Sequence, residues 1–112
     1  MGNMATLDTI FDLFSKKRRR YALYYLDQQS GTVTVDEVVE YVANHENDAT
    51  DETIPDEQYD RIELSLRQVH IPKTAEIDSI EYDRNEGEIT IQGTPTEFDA
   101  IVTVAKVLEH AD

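Results

Sequence analysis

Apolar residues recur along the chain with the period of an α-helix in five segments. In the first, Leu7, Ile10, Phe11 and Phe14 follow the i, i+3, i+4, i+7 spacing that places side chains on one helical face. The other four segments carry similar stripes, bounded by capping residues or by glycine and proline. We therefore predict helices over residues 6–14, 16–29, 35–44, 56–70 and 96–110.

Local signals place several boundaries between these helices. Thr32-Val33, just after the second helix, has the composition of a very short strand. Thr34 and Glu37 fit a capping box, in which a hydroxyl and a carboxylate each bind a free amide at the start of the third helix. Pro72 is expected to end the fourth helix, because the residue before a proline avoids helical backbone angles.

Two alternating apolar and polar runs predict a β-hairpin near the end of the chain. These runs are Ile80–Tyr82 and Glu88–Ile91, and the turn Asp83–Gly87 between them contains asparagine and glycine. The complete order is helix, helix, short strand, helix, helix, hairpin, helix.

That order indicates a winged helix-turn-helix fold, which is α+β and mostly helical. Helices 35–44 and 56–70 would form the helix-turn-helix, the second would enter the major groove of DNA, and the hairpin would be a two-stranded wing. We assign residues 6–93 to this domain and residues 94–112 to a C-terminal dimerisation helix. The loop 45–55 is long for a helix-turn-helix, in which three or four residues are common.

The composition is strongly acidic, with 24 Asp and Glu against 10 Lys and Arg and a net charge of -14 over 112 residues. Disorder, mimicry of an acidic partner and adaptation to high salt are three causes of such a balance. Clear periodicity argues against disorder. We favour high salt, because the Debye length falls to about 3 Å in molar salt and an acidic surface then repels little.

The sequence gives no sign of membrane insertion or export. No apolar run is long enough to span a bilayer. The basic run follows the first apolar stretch, which is the reverse of the order in a signal peptide. We therefore expect a cytoplasmic protein.

Catalytic and metal-binding patterns are missing from the sequence. Cysteine is absent, and His45, His70 and His110 lack the spacing of metal ligands. No glycine-rich phosphate loop occurs, and no pair of carboxylates is singled out for acid–base chemistry. We expect no enzyme activity and no cofactor, and we expect His70 to hydrogen-bond a neighbouring element.

Half of the lysines and arginines form one run, from Lys16 to Arg20. Five consecutive residues point all round a helix, so they cannot all face one phosphate backbone. Lys16, Lys17 and Arg20 are the candidate phosphate contacts, while the stems of Arg18 or Arg19 would cover the edge of the core. The alternative is a solvated helix start whose arginines pair with the acidic loop 46–57.

The outward face of the fourth helix carries the candidate base-reading residues. Its buried stripe would be Tyr59, Ile62, Leu66 and Val69. Arginine reads guanine and glutamine reads adenine. Leu64, also outward, would meet a thymine methyl group, helix 35–44 or another chain. The candidate DNA contacts are Arg61, Ser65, Arg67 and Gln68, with Lys73 before the hairpin and Arg84 near its tip, for which an ion pair with Asp83 or Glu86 is the alternative.

Four segments carry a resemblance to a known family. Leu7–Ser15, Arg18–Leu26, His70–Lys73 and Ile80–Asp83 resemble, in order and spacing, small winged-helix proteins of haloarchaea that are distantly similar to arsenic-repressor-like regulators. The resemblance covers residues 6 to about 91 and implies a winged-helix fold that binds double-stranded DNA. The sequence departs from that family at Asp78-Ser79, before the wing, and at Glu63, Arg67 and Gln68, where the family often has aromatic residues or histidine in the recognition helix. No inherited DNA sequence preference is therefore implied.

The last predicted helix is apolar on more than one face, because Ala100, Val104 and Val107 add to its main stripe. A monomer would bury only one stripe, so the surplus predicts pairing with a second copy, together with helix 6–14. The predicted interface consists of Phe98, Ile101, Val102, Ala105 and Leu108.

Taken together, the patterns predict a homodimeric DNA-binding transcription regulator. The alternative is a protein-interaction module on a winged-helix scaffold that does not bind DNA. Nothing in the sequence indicates a small-molecule effector.

Overall fold

The computed structural model describes residues 7–46, 54–93 and 96–109. The fold is α+β and mostly helical, with one small antiparallel sheet. Its helices are α1 Leu7–Leu13, α2 Lys17–Asp27, α3 Val35–Glu46, α4 Asp56–Ser65, α5 Ile71–Thr74 and α6 Thr96–Glu109, and its strands are β1 Gly31–Thr34, β2 Ile80–Asp83 and β3 Glu88–Ile91. A π-helical turn, Leu66–His70, joins α4 to α5 and is called the π segment below.

The predicted hairpin is confirmed, and a third strand extends it. The strand order is β1-β3-β2, with both pairs antiparallel, so the predicted short strand pairs with the second strand of the hairpin. Val33, Ile80, Ile89 and Ile91 are buried on the inner face of this sheet. The hairpin turn also contacts the start of α3, because the Gly87 carbonyl accepts a hydrogen bond of 2.9 Å from the Val35 N–H.

The capping box at the start of α3 is confirmed. The Glu37 N–H donates to Thr34 Oγ1 at 3.1 Å, and the Thr34 N–H donates to Glu37 Oε2 at 3.4 Å. The two contacts satisfy free amides at the helix start, as the spacing of the two residues predicts.

The prediction that Pro72 ends the fourth helix is wrong. Ile71 keeps helical angles, φ -65° and ψ -45°, directly before the proline, and helix continues to Thr74. The π segment shifts the inner face by one residue, since the Ile71 N–H bonds to the Leu66 carbonyl five positions back. Leu66 and Ile71 are therefore fully buried, whereas Val69, predicted to be inside, is 52% exposed.

The apolar stripe predicted for α1 is also wrong in part. Ile10, Leu13 and Phe14 are buried, but Leu7 and Phe11 are each 55% exposed. Ile10, Leu13 and Phe14 follow i, i+3, i+4 spacing, so the helix has two overlapping apolar stripes and buries the second.

The core is centred on α2, which packs against α3, the π segment, α5 and α6. On α2 the fully buried residues are Ala22, Leu23 and Tyr24, and on α6 Phe98 and Val102 are no more than 1% exposed. The phenyl rings of Phe14 and Phe98 lie 5.7 Å apart between centroids. The helix predicted for dimerisation thus completes the core of its own chain.

Some predictions fall outside the residues described. Most of the predicted loop 45–55, the start of the predicted C-terminal segment at residue 94 and His110 lie there. Within the described segments, no helix has the length and apolar character needed to cross a bilayer.

Candidate nucleic-acid interface

The three arginines of the basic run extend from α2 to different parts of the fold. Arg18 reaches the end of α3, Arg19 reaches the end of α1 and the π segment, and Arg20 reaches the end of α6. This divergence follows from helix geometry, because consecutive residues point about 100° apart around the axis. The run is therefore not one continuous phosphate-binding surface.

Arg18 and Arg20 each form a two-pronged ion pair. Arg18 donates to both carboxylate oxygens of Glu46 at 2.7 and 2.9 Å. Arg20 does the same to Glu109 at 3.0 and 2.9 Å, and Glu109 also accepts the Tyr24 hydroxyl at 2.7 Å. Arg18 therefore follows the predicted alternative of pairing at the edge of the acidic loop. Arg20, a candidate phosphate contact, has its guanidinium held by Glu109.

Arg19 is a buried cation that closes the end of α1. Its side chain, 4% exposed, donates to the main-chain carbonyls of Leu13 at 2.9 Å and Asp12 at 2.8 Å. Its third contact is His70 Nδ1 at 3.3 Å, and because a guanidinium can only donate, this nitrogen is the acceptor. The hydrogen bond expected for His70 is present.

Burial, together with the charges of Arg19, Arg18 and Lys16 and against the opposing charge of Glu46, lowers the pKa of His70 to about 4. His70 is therefore neutral near pH 7.

This lowered pKa predicts that acid weakens the fold. Between about pH 6.5 and pH 4 the unfolded chain binds a proton at His70 that the folded chain does not, so stability falls as the pH falls through this window. One pKa unit corresponds to about 1.4 kcal/mol, and solvent screening at a half-buried site leaves a loss of about 1–2 kcal/mol. Urea unfolding of wild type and His70→Gln at pH 7 and pH 4.5 measures the difference, since glutamine keeps an acceptor for Arg19. Equal pH dependence of the two proteins would contradict the assignment.

The exposed cations of the run are Lys16 and Lys17. The Lys17 ammonium lies 5.6 Å from the centroid of the Tyr21 ring, at cation–π distance. Both remain accessible to a phosphate group.

Two stretches of the chain lack carboxylates, and the fold brings them together. Residues 13–26 and 64–75 contain no Asp or Glu, although such residues make up 24 of the 112, and they hold seven of the ten lysines and arginines. The first is mainly α2, and the second runs from the end of α4 through the π segment to α5, which α2 contacts. We call the surface that these two stretches share the acid-poor face.

The candidate base readers on α4 divide into two groups. Arg67, half-buried, donates to Glu63 at 2.9 Å and Asp36 at 3.3 Å, beside α3. Arg61 is exposed and lies 3.4 Å from Glu57, one turn earlier. Exposed pairs of this kind contribute about 0–1 kcal/mol, so a nucleic acid can replace Glu57 more easily than it can free Arg67. Gln68 is exposed and Ser65 is half-buried.

Lys73 and Arg84 lie apart from these residues. The Lys73 ammonium pairs with Asp12 at 3.2 Å and Glu76 at 3.5 Å. The Arg84 guanidinium lies 5.9 Å from the centroid of the Tyr82 ring. It also lines an open cleft of about 410 Å³ on the sheet, together with Glu81, Tyr82, Asp83, Glu88 and Thr90. Three carboxylates against one arginine make this cleft unfavourable for phosphate.

Among the described residues, no group of three His, Cys, Asp or Glu side chains is arranged to hold a metal ion.

Some of the residues predicted for a dimer interface are buried in the core, and others are exposed. Phe98 and Val102 are buried in the core and cannot meet a partner, and Ile101 and Ala105 are half-buried. Leu108 is 74% exposed. The accessible apolar stripe of α6 instead consists of Ala100, Val104, Val107 and Leu108.

From the distribution of charge along the sequence, residues 1–30 and 61–84 are the stretches that could face a polyanion, and the two parts of the acid-poor face fall within them. The absence of carboxylates from residues 13–26 and 64–75 was a signal visible in the sequence. Only the fold shows that the two stretches are neighbours, because 37 positions separate them along the chain.

In comparisons with known proteins, the chain matches one family model but no individual protein. Neither the curated proteins nor the solved structures contain a match. A family model described as "Domain of unknown function (DUF7344)" matches residues 11–90, which include both stretches of the acid-poor face and leave out α6. Because the matched residues make up most of the chain, the protein belongs to the DUF7344 family.

Proposed function

We propose that this protein is a DNA-binding transcription regulator built on a winged-helix scaffold and acting as a homodimer. The observation that carries the proposal is the acid-poor face, where two stretches without carboxylates meet in a chain of net charge -14 and the exposed Lys16 and Lys17 stand at the start of α2, which contacts the π segment. A polyanion meets least repulsion there.

The order of elements supports a winged-helix scaffold. A helix, a short strand, two helices and a hairpin follow each other, and the first strand pairs with the second hairpin strand in the order β1-β3-β2. In such a scaffold the second helix of the pair, here α4, enters the major groove and the hairpin reaches toward the backbone.

The contacts in the fold assign different roles to the candidate residues. Arg61 and Gln68 are exposed on α4 and would read bases, while Lys16 and Lys17 are exposed at the start of α2 and would contact phosphates. Arg20, Arg67, Lys73 and Arg84 have internal partners, so each would have to exchange a partner to bind DNA.

Salt dependence is informative for so acidic a protein. Each neutralised phosphate makes affinity fall more steeply with salt, so a regulator working in molar salt would depend on base contacts more than on phosphates. We expect a shallow salt slope for this protein.

The direct test is capture of random-sequence DNA duplexes by the purified protein in molar KCl, followed by sequencing. A palindromic enriched site is expected, because a two-fold dimer reads two half-sites. The double variant Arg61→Ala/Arg67→Ala is expected to abolish retention of DNA. The double variant Lys16→Ala/Lys17→Ala is expected to lower the affinity for all duplexes to the same extent and to reduce the slope of affinity against salt by about 1–2. Lys106→Ala, on α6, is the matched control. A folded protein that retains no duplex at any salt concentration would overturn the proposal.

The second candidate is a protein-interaction module on the same scaffold. The specific observation in its favour is that Arg18, Arg20, Arg61, Arg67 and Lys73 all pair with carboxylates of the same chain. The exposed stripe of α6 would then be its docking surface. Under this candidate, Arg61→Ala/Arg67→Ala leaves partner capture intact.

A further inference from the structure

The outer side of α4 and the π segment combines apolar and amide side chains. Leu64 and Val69 are 55% and 52% exposed, and Gln68 is exposed as well. Gln68 follows Leu64 by four residues, which places the two on one side of a helix. The π segment, with its bond from Ile71 N–H to the Leu66 carbonyl, turns Val69 outward to join them.

These three side chains match the chemistry of A·T base pairs in the major groove. Glutamine can form two hydrogen bonds with adenine, through N6 and N7, and apolar side chains contact the C5-methyl group of thymine. Guanine offers only acceptors to this groove, and cytosine has no methyl group.

The charges near these residues differ between the two ends of the surface. Leu64, Gln68 and Val69 belong to residues 64–75, which contain no carboxylate. Lys16 and Arg18 add positive charge near the neighbouring His70, and Glu46, which pairs with Arg18, adds negative charge there. Asp60, which is exposed, and Glu63 lie just before Leu64, so DNA would approach this surface from the side of the π segment and of the exposed Lys16.

We propose that Leu64, Gln68 and Val69 make this protein select T·A base pairs, the two apolar residues by contact with thymine methyl groups and Gln68 by its bonds to adenine. The proposal rests on the DNA binding proposed above. It also gives the exposed apolar side chains of α4 a role that works in high salt, because burial of a methyl group does not depend on attraction between charges.

The test removes the methyl groups from the DNA and the apolar side chains from the protein. The best duplex from the capture experiment is synthesised with each thymine in turn replaced by uracil, which lacks only the C5-methyl group. Affinity is measured by fluorescence anisotropy at one fixed KCl concentration. We expect each contacted methyl group to be worth about threefold to fivefold in affinity for the wild type.

Two variants and a control assign the effect to residues. Leu64→Ala and Val69→Ala should each bind more weakly and lose sensitivity to uracil at one thymine. Thr32→Ala shortens an exposed side chain on β1, outside both this surface and the proposed dimer stripe, and should keep full sensitivity.

The outcomes separate this proposal from the one on which it rests. Equal affinity of the wild type for thymine and uracil duplexes overturns the selection of T·A pairs and leaves DNA binding standing. Uracil sensitivity that persists in both Leu64→Ala and Val69→Ala overturns the assignment to these residues. Retention of no duplex at all overturns both proposals.

Discussion

Replacing Arg19 by methionine is expected to lower the free energy of unfolding by about 3 kcal/mol. Methionine keeps the apolar stem but removes the donors to the carbonyls of Asp12 and Leu13 and to His70 Nδ1. The Leu13 carbonyl lies at the end of α1, where a helix has no internal donor for it, whereas the Asp12 carbonyl also accepts from the N–H and the hydroxyl of Ser15. Urea unfolding at pH 7, with the slope and midpoint fitted separately, measures the loss.

Two further variants show whether the loss comes from the geometry of Arg19. Lys17→Met removes an exposed cation two residues away on the same helix and should change stability by less than about 0.5 kcal/mol. Arg19→Lys keeps the charge but replaces a planar fork by a point donor, so its stability should lie between the others.

The pKa of His70 gives a second measure of the same contact. Because the Arg19 charge lowers the pKa of His70, that pKa should rise in Arg19→Met, as followed by NMR of the imidazole protons. An unchanged unfolding midpoint together with an unchanged His70 pKa would show that Arg19 does not hold α1, α2 and the π segment together.

Local signals in the sequence predicted most of the secondary structure. The capping box of Thr34 and Glu37 and the hairpin around Gly87 depend on residues close together in the chain, so their chemistry can be read directly. The two errors in the helices have a different origin. In α1 two overlapping stripes were available, and the packing partner decided between them. After Leu66, a hydrogen bond between residues five positions apart changes the number of residues per helical turn. A sequence pattern read with 3.6 residues per turn does not show this change.

Much less of the candidate site could be predicted, because its partners are distant in the chain. Arg18 meets Glu46, 28 positions away, and Arg20 meets Glu109, 89 positions away. The basic run was recognised from sequence as a cluster that points all round its helix. Which carboxylate each arginine would reach depended on the tertiary fold, and with 24 acidic residues in the chain the choice was wide.

The distribution of charge connects the fold to the proposed function. Arg18, Arg19 and Arg20 attach α2 to three different elements, so most of the basic run holds the fold together. What remains for a polyanion is a smaller surface, where Lys16 and Lys17 are exposed and residues 64–75 add no negative charge. Recognition would then depend mainly on α4, and for that reason the experiments above examine bases as well as phosphates.

Replacing Phe98 by alanine is expected to cost about 3–5 kcal/mol of unfolding free energy. Its side chain is fully buried, and its ring packs against Phe14. α6 lies outside the span that matches the family model, so this variant asks whether the helix is part of the folding unit. Phe98→Leu, a milder change expected to cost less than about 1.5 kcal/mol, keeps the test informative if the alanine variant does not fold.

Leu108 provides the matched control at an exposed position of the same helix. Leu108→Ala should change monomer stability by less than about 0.5 kcal/mol, since this side chain is 74% exposed. Leu108→Asp should dissociate the proposed homodimer in sedimentation experiments, because it places a charge in the exposed stripe. Unfolding is measured at two protein concentrations, since dimer formation makes stability depend on concentration. A small loss for Phe98→Ala would contradict the role of α6 in the core, and a wild type that is monomeric at micromolar concentration in molar salt would contradict the homodimer.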